Sequence, residues 1–371
     1  MSEAGRYNLR ELASHFDIPG DFIEAAPFGQ GHINDTYLAR YQGGGELRYI
    51  LQRINQHVFK EPEKVIENIE RVTRHARARV LAQGGDPDQR VLNLAPARDG
   101  RFFHRDAEGN TWRLYHYVEG SSLPETNPAP AVLYNAARAF GEFQRLLADL
   151  PGGRLHETIP NFHHTPLRMR AFRQILAEDR ANRAATVKPE IDFILRREQE
   201  AGLIVDGLAQ GRLPERVTHN DTKISNVLID DRTGEGLCVI DLDTVMPGSA
   251  LYDFGDMVRA GAASAAEDEP DSALAGMDLD KFTHLARGYS AAMRNLLSDA
   301  EWDLLAFSAK LITFEQAVRF LGDHINGDTY YKIGRPGQNL DRARTQIRMA
   351  ADMEQQMSRM EAIVKRCRIA P

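Results

Sequence analysis

Apolar positions recur along the chain in two rhythms, and the change between them falls near Gly120. Ahead of that point the apolar runs are short. Residues 22–28, 36–41, 48–53, 102–105 and 112–118 predict strands, with Gly43-Gly-Gly45 closing a hairpin between the second and third. An amphipathic helix is expected over 8–16. A longer one is expected over 62–83, where Val65, Ile69, Val72, Ala76 and Val80 share one face. Beyond Gly120 the spacing turns helical, over 131–150, 167–181, 190–207, 281–297, 301–325 and 340–365. Only 216–219, 227–229 and 238–240 interrupt it as short strand segments. The fold class expected is therefore α+β, with a small sheet-rich lobe (1–118) ahead of a large, mostly helical one (119–371).

The length, 371 residues, supports two lobes, because a single hydrophobic core usually stops growing below that size. A ligand cleft between them follows. In the last helix Ala350, Met353, Met357, Met360 and Val364 alternate at spacings of three and four, which predicts core packing between helices rather than a partner groove. The formal net charge of −7 argues against a nucleic-acid partner, which would leave a basic stripe. No signal peptide and no run of about twenty apolar residues is present, so a cytoplasmic protein without membrane attachment is expected. Two cysteines, Cys238 and Cys367, imply no disulfide framework.

The chemistry concentrates in Val217-Thr-His-Asn-Asp-Thr-Lys-Ile-Ser-Asn-Val-Leu-Ile229 and the following Val239-Ile-Asp-Leu-Asp243. His219, Asp221 and Asn226 make an H-x-D-x-x-x-x-N pattern, and Asp241 stands at a strand end facing that loop. Phosphoryl transfer needs these residue types: an Asp to take the proton of the acceptor hydroxyl, and an Asn and an Asp to hold Mg2+ against a triphosphate. Asp221 is the catalytic candidate; Asn226 and Asp241 are the metal candidates. Asp253-Phe-Gly255 copies the metal-binding tripeptide of protein kinases, but it lies too far from Asn226, and Asp253 is expected to brace the loop through backbone hydrogen bonds. The acidic run Glu267-Asp-Glu269 with Asp271 predicts a solvated loop, and His163-His164 does not present a metal-binding face.

Phe28-Gly-Gln-Gly-His-Ile-Asn-Asp-Thr-Tyr37 lies between the first two strands, where a loop covering phosphates belongs. Gly29 and Gly31 would let the backbone approach an anion. In the third strand, Gln52 occupies the place of a phosphate-pairing Lys, with Arg53 beside it and Glu70 on the next helix as either partner or surface charge. Tyr115-His-Tyr-Val-Glu-Gly120 reads as a hinge that would bond the adenine of ATP, through Tyr115, Tyr117 and Val118.

These segments resemble the aminoglycoside phosphotransferase and choline kinase superfamily over residues 28–353, and within it the N-acetylhexosamine 1-kinases. The resemblance is carried by Gly31-His-Ile-Asn34, Tyr49-Ile-Leu-Gln52, His219-Asn-Asp-Thr-Lys223, Ile240-Asp-Leu-Asp-Thr-Val-Met-Pro-Gly248, Asp253-Phe-Gly-Asp256 and Arg319-Phe-Leu321. It implies a bilobal protein-kinase-like fold, ATP as co-substrate with Mg2+, and Asn34 among the ATP-binding residues. It also implies transfer of the γ-phosphoryl group to the anomeric hydroxyl of an N-acetylhexosamine lying beside Asp221 and touching His32, Arg319 and Tyr330. From spacing alone, Glu315, Arg319 and Asp323 could equally form a surface salt-bridge ladder at i, i+4. Another small hydroxyl acceptor, such as an aminoglycoside, a choline-like alcohol or a different hexose, would keep the nucleotide side unchanged. A nucleotide-binding pseudokinase would be expected to have lost Asp221, Asn226 or Asp241. Oligomeric state and sugar preference stay open.

Overall fold

The computed structural model describes residues 7–29 and 33–369. The first lobe contains α1 (Leu9–Ser14), β1 (Asp21–Pro27), β2 (Asp35–Gln42), β3 (Glu46–Arg53), α2 (Pro62–Ala82), α3 (Pro87–Arg90), β4 (Leu94–Ala95), β5 (His104–Arg105) and β6 (Thr111–His116). Its sheet is antiparallel, in the order β1-β2-β3-β6-β4 with β5 also on β6. The register sets Gln52 opposite Thr36 on one side and Arg113 on the other. One side of the sheet packs on α1 through Leu12, Phe16, Tyr37, Leu51, Trp112 and Leu114. Helix α2, opened by Pro62 in its first turn, buries its predicted stripe of Val65, Ile69, Val72, Ala76 and Val80 in a second core that continues into the helical lobe.

Past Gly120 come β7 (Ser121–Ser122), α4 (Pro130–Leu146), α5 (Thr165–Glu178), α6 (Lys188–Leu195), α7 (Leu203–Ala209), β8 (Arg216–Thr218), β9 (Val227–Asp230), β10 (Gly236–Val239) and β11 (Met246–Gly248). Helices α8 (Ala250–Gly261), α9 (Leu279–Met293), α10 (Asp299–Ile325) and α11 (Gln338–Ile369) complete the lobe. Two small antiparallel sheets, β10-β9-β7 and β11-β8, frame the loop that carries Asp221. In α11, Met353 and Met360 are buried against the rest of the core, as their spacing implies. Both cysteines are free and buried, and burial pushes the Cys238 thiol up to about 12. No helix among the described residues is long and apolar enough to cross a membrane.

Two expectations need correction. The single helix expected over 190–207 is broken into α6, a 3-10 turn at Glu198–Glu200, and α7. Arg197 ends α6 by donating to the Phe193 carbonyl (2.9 Å) while its guanidinium covers the Phe193 ring. Helix α8 was not expected at all. Ser249 caps it, and every residue from Ala250 to Arg259 is buried, so it lacks the polar face from which periodicity is read.

Helices α4 and α9 pack so closely that a Cβ on Gly288 would collide with the Tyr134 carbonyl, a backbone atom with no room to yield. Gly288→Ala should therefore destabilise the protein by about 1–3 kcal/mol. Urea unfolding should show a lower midpoint at an unchanged slope.

Candidate active site

The loop between β8 and β9 is built around a strained residue. Asn220 has φ +65°, a left-handed conformation uncommon outside glycine, and its neighbours hold it there. The Asn220 amide donates to the carbonyls of Thr218 (3.2 Å) and Thr244 (2.9 Å), and its Oδ1 accepts from Thr218 Oγ1 (3.1 Å). Strand β11 runs hard against this turn: a Cβ on Gly248 would collide with Thr218 Oγ1 and stand 2.8 Å from Asn220 Oδ1. The main brace comes from α8. The buried Asp253 carboxylate accepts the N–H of His219 (2.9 Å) on Oδ2 and of Asn220 (2.7 Å) on Oδ1, and Gln144 donates to it as well. Burial raises its pKa above the usual carboxylate value, against the pull of the two N–H groups and Gln144. Asp253 thus takes the bracing part expected of it, with both oxygens occupied.

His219 fixes the next step of the chain. Its Nε2 lies 2.9 Å from the Ile240 carbonyl and its Nδ1 3.3 Å from the Asp221 N–H, so the ring donates through Nε2 and accepts through Nδ1. This ties the loop between β8 and β9 to the end of β10. Asn226 completes the tie: its amide donates to the Asp221 carbonyl (2.9 Å) and to Asp221 Oδ2 (3.3 Å), while its carbonyl accepts the Ile240 N–H (2.9 Å). Lys223 Nζ stands 3.0 Å from Asp221 Oδ1. Burial opposes ionisation of Asp221, but the charge and hydrogen bond of Lys223 outweigh it and hold the carboxyl below its ordinary pKa.

Asp241 behaves differently. It too is left-handed, with φ +60°, and its exposed carboxylate accepts no hydrogen bond among the described residues. Burial of its surroundings, Asp243 and Asp221 together raise its pKa to about 6. An acid so placed calls for a cation. Among the described residues no three His, Cys, Asp or Glu side chains form a metal cluster, so one carboxylate and Asn226 would need phosphate oxygens to complete an Mg2+ shell.

Asp243, two residues on, is spent on the protein. Arg113 and Asp243 form a buried ion pair, and Asn34 Nδ2 donates to the other Asp243 oxygen (2.7 Å). Arg113 also donates to Gln52 Oε1 through Nε (3.1 Å) and Nη2 (2.9 Å), and Gln52 Nε2 donates to Thr36 Oγ1 (3.0 Å). The polar groups of Gln52 and Asn34, expected at the nucleotide, are therefore engaged within the protein: Gln52 steadies Arg113 inside the sheet, and Asn34 reaches across to Asp243. The cation beside Gln52 is Arg113, because Arg53 pairs with Asp35 (2.6 Å) and Glu70 pairs with Arg74 on the surface.

The expected hinge is corrected in a similar way. Tyr115 is paired with Ile50 on one side and Leu94 on the other, and its hydroxyl is buried without a partner. The Tyr117 N–H goes to the Arg48 carbonyl (3.1 Å). Val118 is the member of the trio whose N–H carries no backbone bond among the described residues. Gly29 has φ +77°, while Gly31 and His32 lie outside the described residues.

Along α10, Glu315, Arg319 and Asp323 form no salt-bridge ladder. Buried Glu315 accepts from Thr165 Oγ1 (2.6 Å) and from His163 Nδ1 (3.0 Å), whose Nε2 reaches the Asn220 carbonyl (2.9 Å). Both ring nitrogens face acceptors, so only the doubly protonated ring satisfies the geometry. Asp323 accepts the N–H groups of Thr329 (2.9 Å), Tyr330 (2.8 Å) and Tyr331 (2.8 Å), fixing the loop that carries both tyrosines. Arg319 donates to Gln316 Oε1 (3.0 Å) and lies beside Tyr330 and Tyr331. The acidic run is less solvated than expected, since Glu267 accepts from Arg259 (2.8 Å), which also holds Asp256.

Burial alone would lower the His163 pKa, but Glu315, the Asn220 carbonyl and Asp256 raise it; the Phe162 and Tyr252 rings enclose the rest. A histidine raised in this way stabilises the fold fully below its unfolded value of about 6.5, and that contribution is lost as pH rises through the folded value. Glu315 has a lowered pKa, so its share is lost only at the acid end. The melting-temperature gap between wild type and His163→Gln should therefore be widest below about pH 6.5 and shrink as the pH is raised above it. A gap that widens with pH would refute the charged ring.

Solved structures of several small-molecule kinases share this arrangement of lobes. An aminoglycoside phosphotransferase from Alicyclobacillus acidocaldarius superposes with a TM-score of 0.63 at 15% identity, over 96% of both chains. A choline kinase from Cryptosporidium parvum gives 0.57 at 11% identity, over 92% of this chain and 91% of that one. A microcompartment-associated aminopropanol kinase gives 0.56 at 17%, over 95% and 98%. At such identities the likeness speaks for the fold, which is kinase-like. The model of the phosphotransferase enzyme family (APH) matches residues 24–290, well over half of the chain, and the protein belongs to that family.

Proposed function

We propose that this phosphotransferase moves the γ-phosphoryl group of ATP to the anomeric hydroxyl of an N-acetylhexosamine, giving the sugar 1-phosphate. The observation that carries the acceptor class is the meeting of Arg319 with Tyr330. Among the described residues Arg319 has no carboxylate within ion-pair distance, and the Asp323-held loop brings Tyr330 to it. Such a surface suits hydroxyl and acetamido oxygens, whereas an aminoglycoside or a choline-like alcohol would bring its own positive charge against the guanidinium. The choice of the anomeric hydroxyl rests on the resemblance of the Gly-His-Ile-Asn and Asp-Leu-Asp-Thr-Val-Met-Pro-Gly segments.

Asp221 would accept a hydrogen bond from the acceptor hydroxyl and receive its proton. Its lowered pKa makes it a weak base, so orientation of the hydroxyl matters more than basicity, and an anomeric hydroxyl, more acidic than an ordinary alcohol, suits that arrangement. Asn226 and Asp241 would hold Mg2+, which when bound neutralises triphosphate charge. Val118 offers its backbone to the adenine, with Tyr115 and Tyr117 behind it. Gly29 and the loop it opens would cover the phosphates. The negative charge gathered by Asp241, Asp243 and Asp221 supports a cation there.

Asp221→Asn should keep nucleotide affinity and lose about 10²–10⁴-fold in kcat. Phosphate transfer from ATP across N-acetylglucosamine, N-acetylgalactosamine, glucose, choline and an aminoglycoside should favour the first two, with phosphate at C1 by 31P NMR. Turnover confined to choline or the aminoglycoside would reject the sugar assignment and leave the phosphotransferase standing.

A further inference from the structure

Arg319 is not alone on the acceptor side. Arg168, in the first turn of α5, donates from Nη2 to the Phe162 carbonyl (2.9 Å), and its Nε, stripped of accessible surface, has no partner. The Arg319 guanidinium lies 5.7 Å from the centre of the Phe162 ring. The two arginines are near enough for Arg319, after burial, to depress the Arg168 pKa. Among the described residues neither has a carboxylate within ion-pair distance. Glu315 acts on both, yet its oxygens are taken by His163 and Thr165, and the doubly protonated His163 ring cancels its charge.

Two guanidinium charges are therefore left over in a partly buried place. Proteins seldom leave buried charge unpaired, because desolvation is costly without an opposite charge or a full set of hydrogen bonds. The place is close to the chemistry: Phe162, which both arginines touch, precedes His163, and His163 bonds the carbonyl of Asn220, the residue before Asp221.

We propose that Arg168 and Arg319 form an anion-recognition site in the acceptor pocket, so that the acceptor is an N-acetylhexosamine carrying an acidic ring substituent, a carboxylate or a sulfate. The ring identity rests on the function proposed above; the charge rests on the arginine pair. Guanidinium groups meet planar or tetrahedral oxyanions through paired, charge-assisted N–H bonds, and Arg168 Nη1, which has no hydrogen-bond partner among the described residues, is the donor left for one.

The test compares kcat/KM for N-acetylglucosamine with its O-sulfates and O-carboxymethyl ethers at positions 3, 4 and 6, in wild type, Arg168→Gln and Arg168→Lys. At least one acidic acceptor should exceed the neutral parent by about ten- to hundredfold, the gain expected of charge-assisted hydrogen bonds. The arm that responds identifies carboxylate or sulfate. Arg168→Gln should bring the ratio near one, and Arg168→Lys, which keeps the charge should the first variant fold poorly, should lower it. Neutral and acidic sugars turned over alike, or a ratio untouched by both variants, would overturn the proposal. Should no N-acetylhexosamine react, the sugar assignment falls, and thermal melting with sodium sulfate against chloride at matched ionic strength decides the anion site. Greater protection of wild type than of the variants upholds it, and equal protection overturns it.

Discussion

The loop between β8 and β9 stands or falls with two N–H groups on one carboxylate. His219 and Asn220 have no strand partner where the chain turns through the left-handed conformation of Asn220, and Asp253 satisfies both from the first turn of α8. A buried N–H left without an acceptor costs about 1–3 kcal/mol, so the pair accounts for a turn that would otherwise relax. From that anchor the rest follows in sequence: His219 points its Nε2 at Ile240, Asn226 takes the Asp221 carbonyl, and the carboxylates of Asp221 and Asp241 are brought to one place.

A division of labour among the aspartates results. Asp253 and Asp243 have their oxygens occupied by the protein, one within the helical lobe and one across the lobes through Arg113 and Asn34. Among the described residues Asp241 accepts no hydrogen bond, and the Asp221 carboxylate meets only Lys223 and Asn226. Burial with like charges raises Asp241, whereas Lys223 keeps Asp221 ionised, so neighbouring groups of one chemical type acquire different characters.

Much of this was legible in the sequence where the signal is local. The H-x-D-x-x-x-x-N spacing, the Gly43-Gly-Gly45 hairpin and the apolar stripe of α2 are short-range patterns, and the structure keeps each. What escaped depends on partners far apart in the chain. Arg113 and Asp243 are 130 residues apart, and His163 and Glu315 are 152, so neither pairing leaves a mark in spacing. Gln52 and Asn34 look like nucleotide ligands by position, and only the folded arrangement reveals Arg113 and Asp243 taking up their polar groups. Helix α8 was invisible because burial on all sides removes its periodicity.

The proposed separation of a bracing Asp253 from a metal-holding Asp241 is tested most directly by calorimetric titration of a non-hydrolysable ATP analogue, with and without Mg2+, into wild type, Asp241→Asn and Asp253→Asn. Wild type should bind the analogue more tightly with Mg2+, Asp241→Asn should lose that gain, and Asp253→Asn should melt earlier yet keep it at low temperature. Loss of the Mg2+ gain in Asp253→Asn, with its survival in Asp241→Asn, would contradict the account.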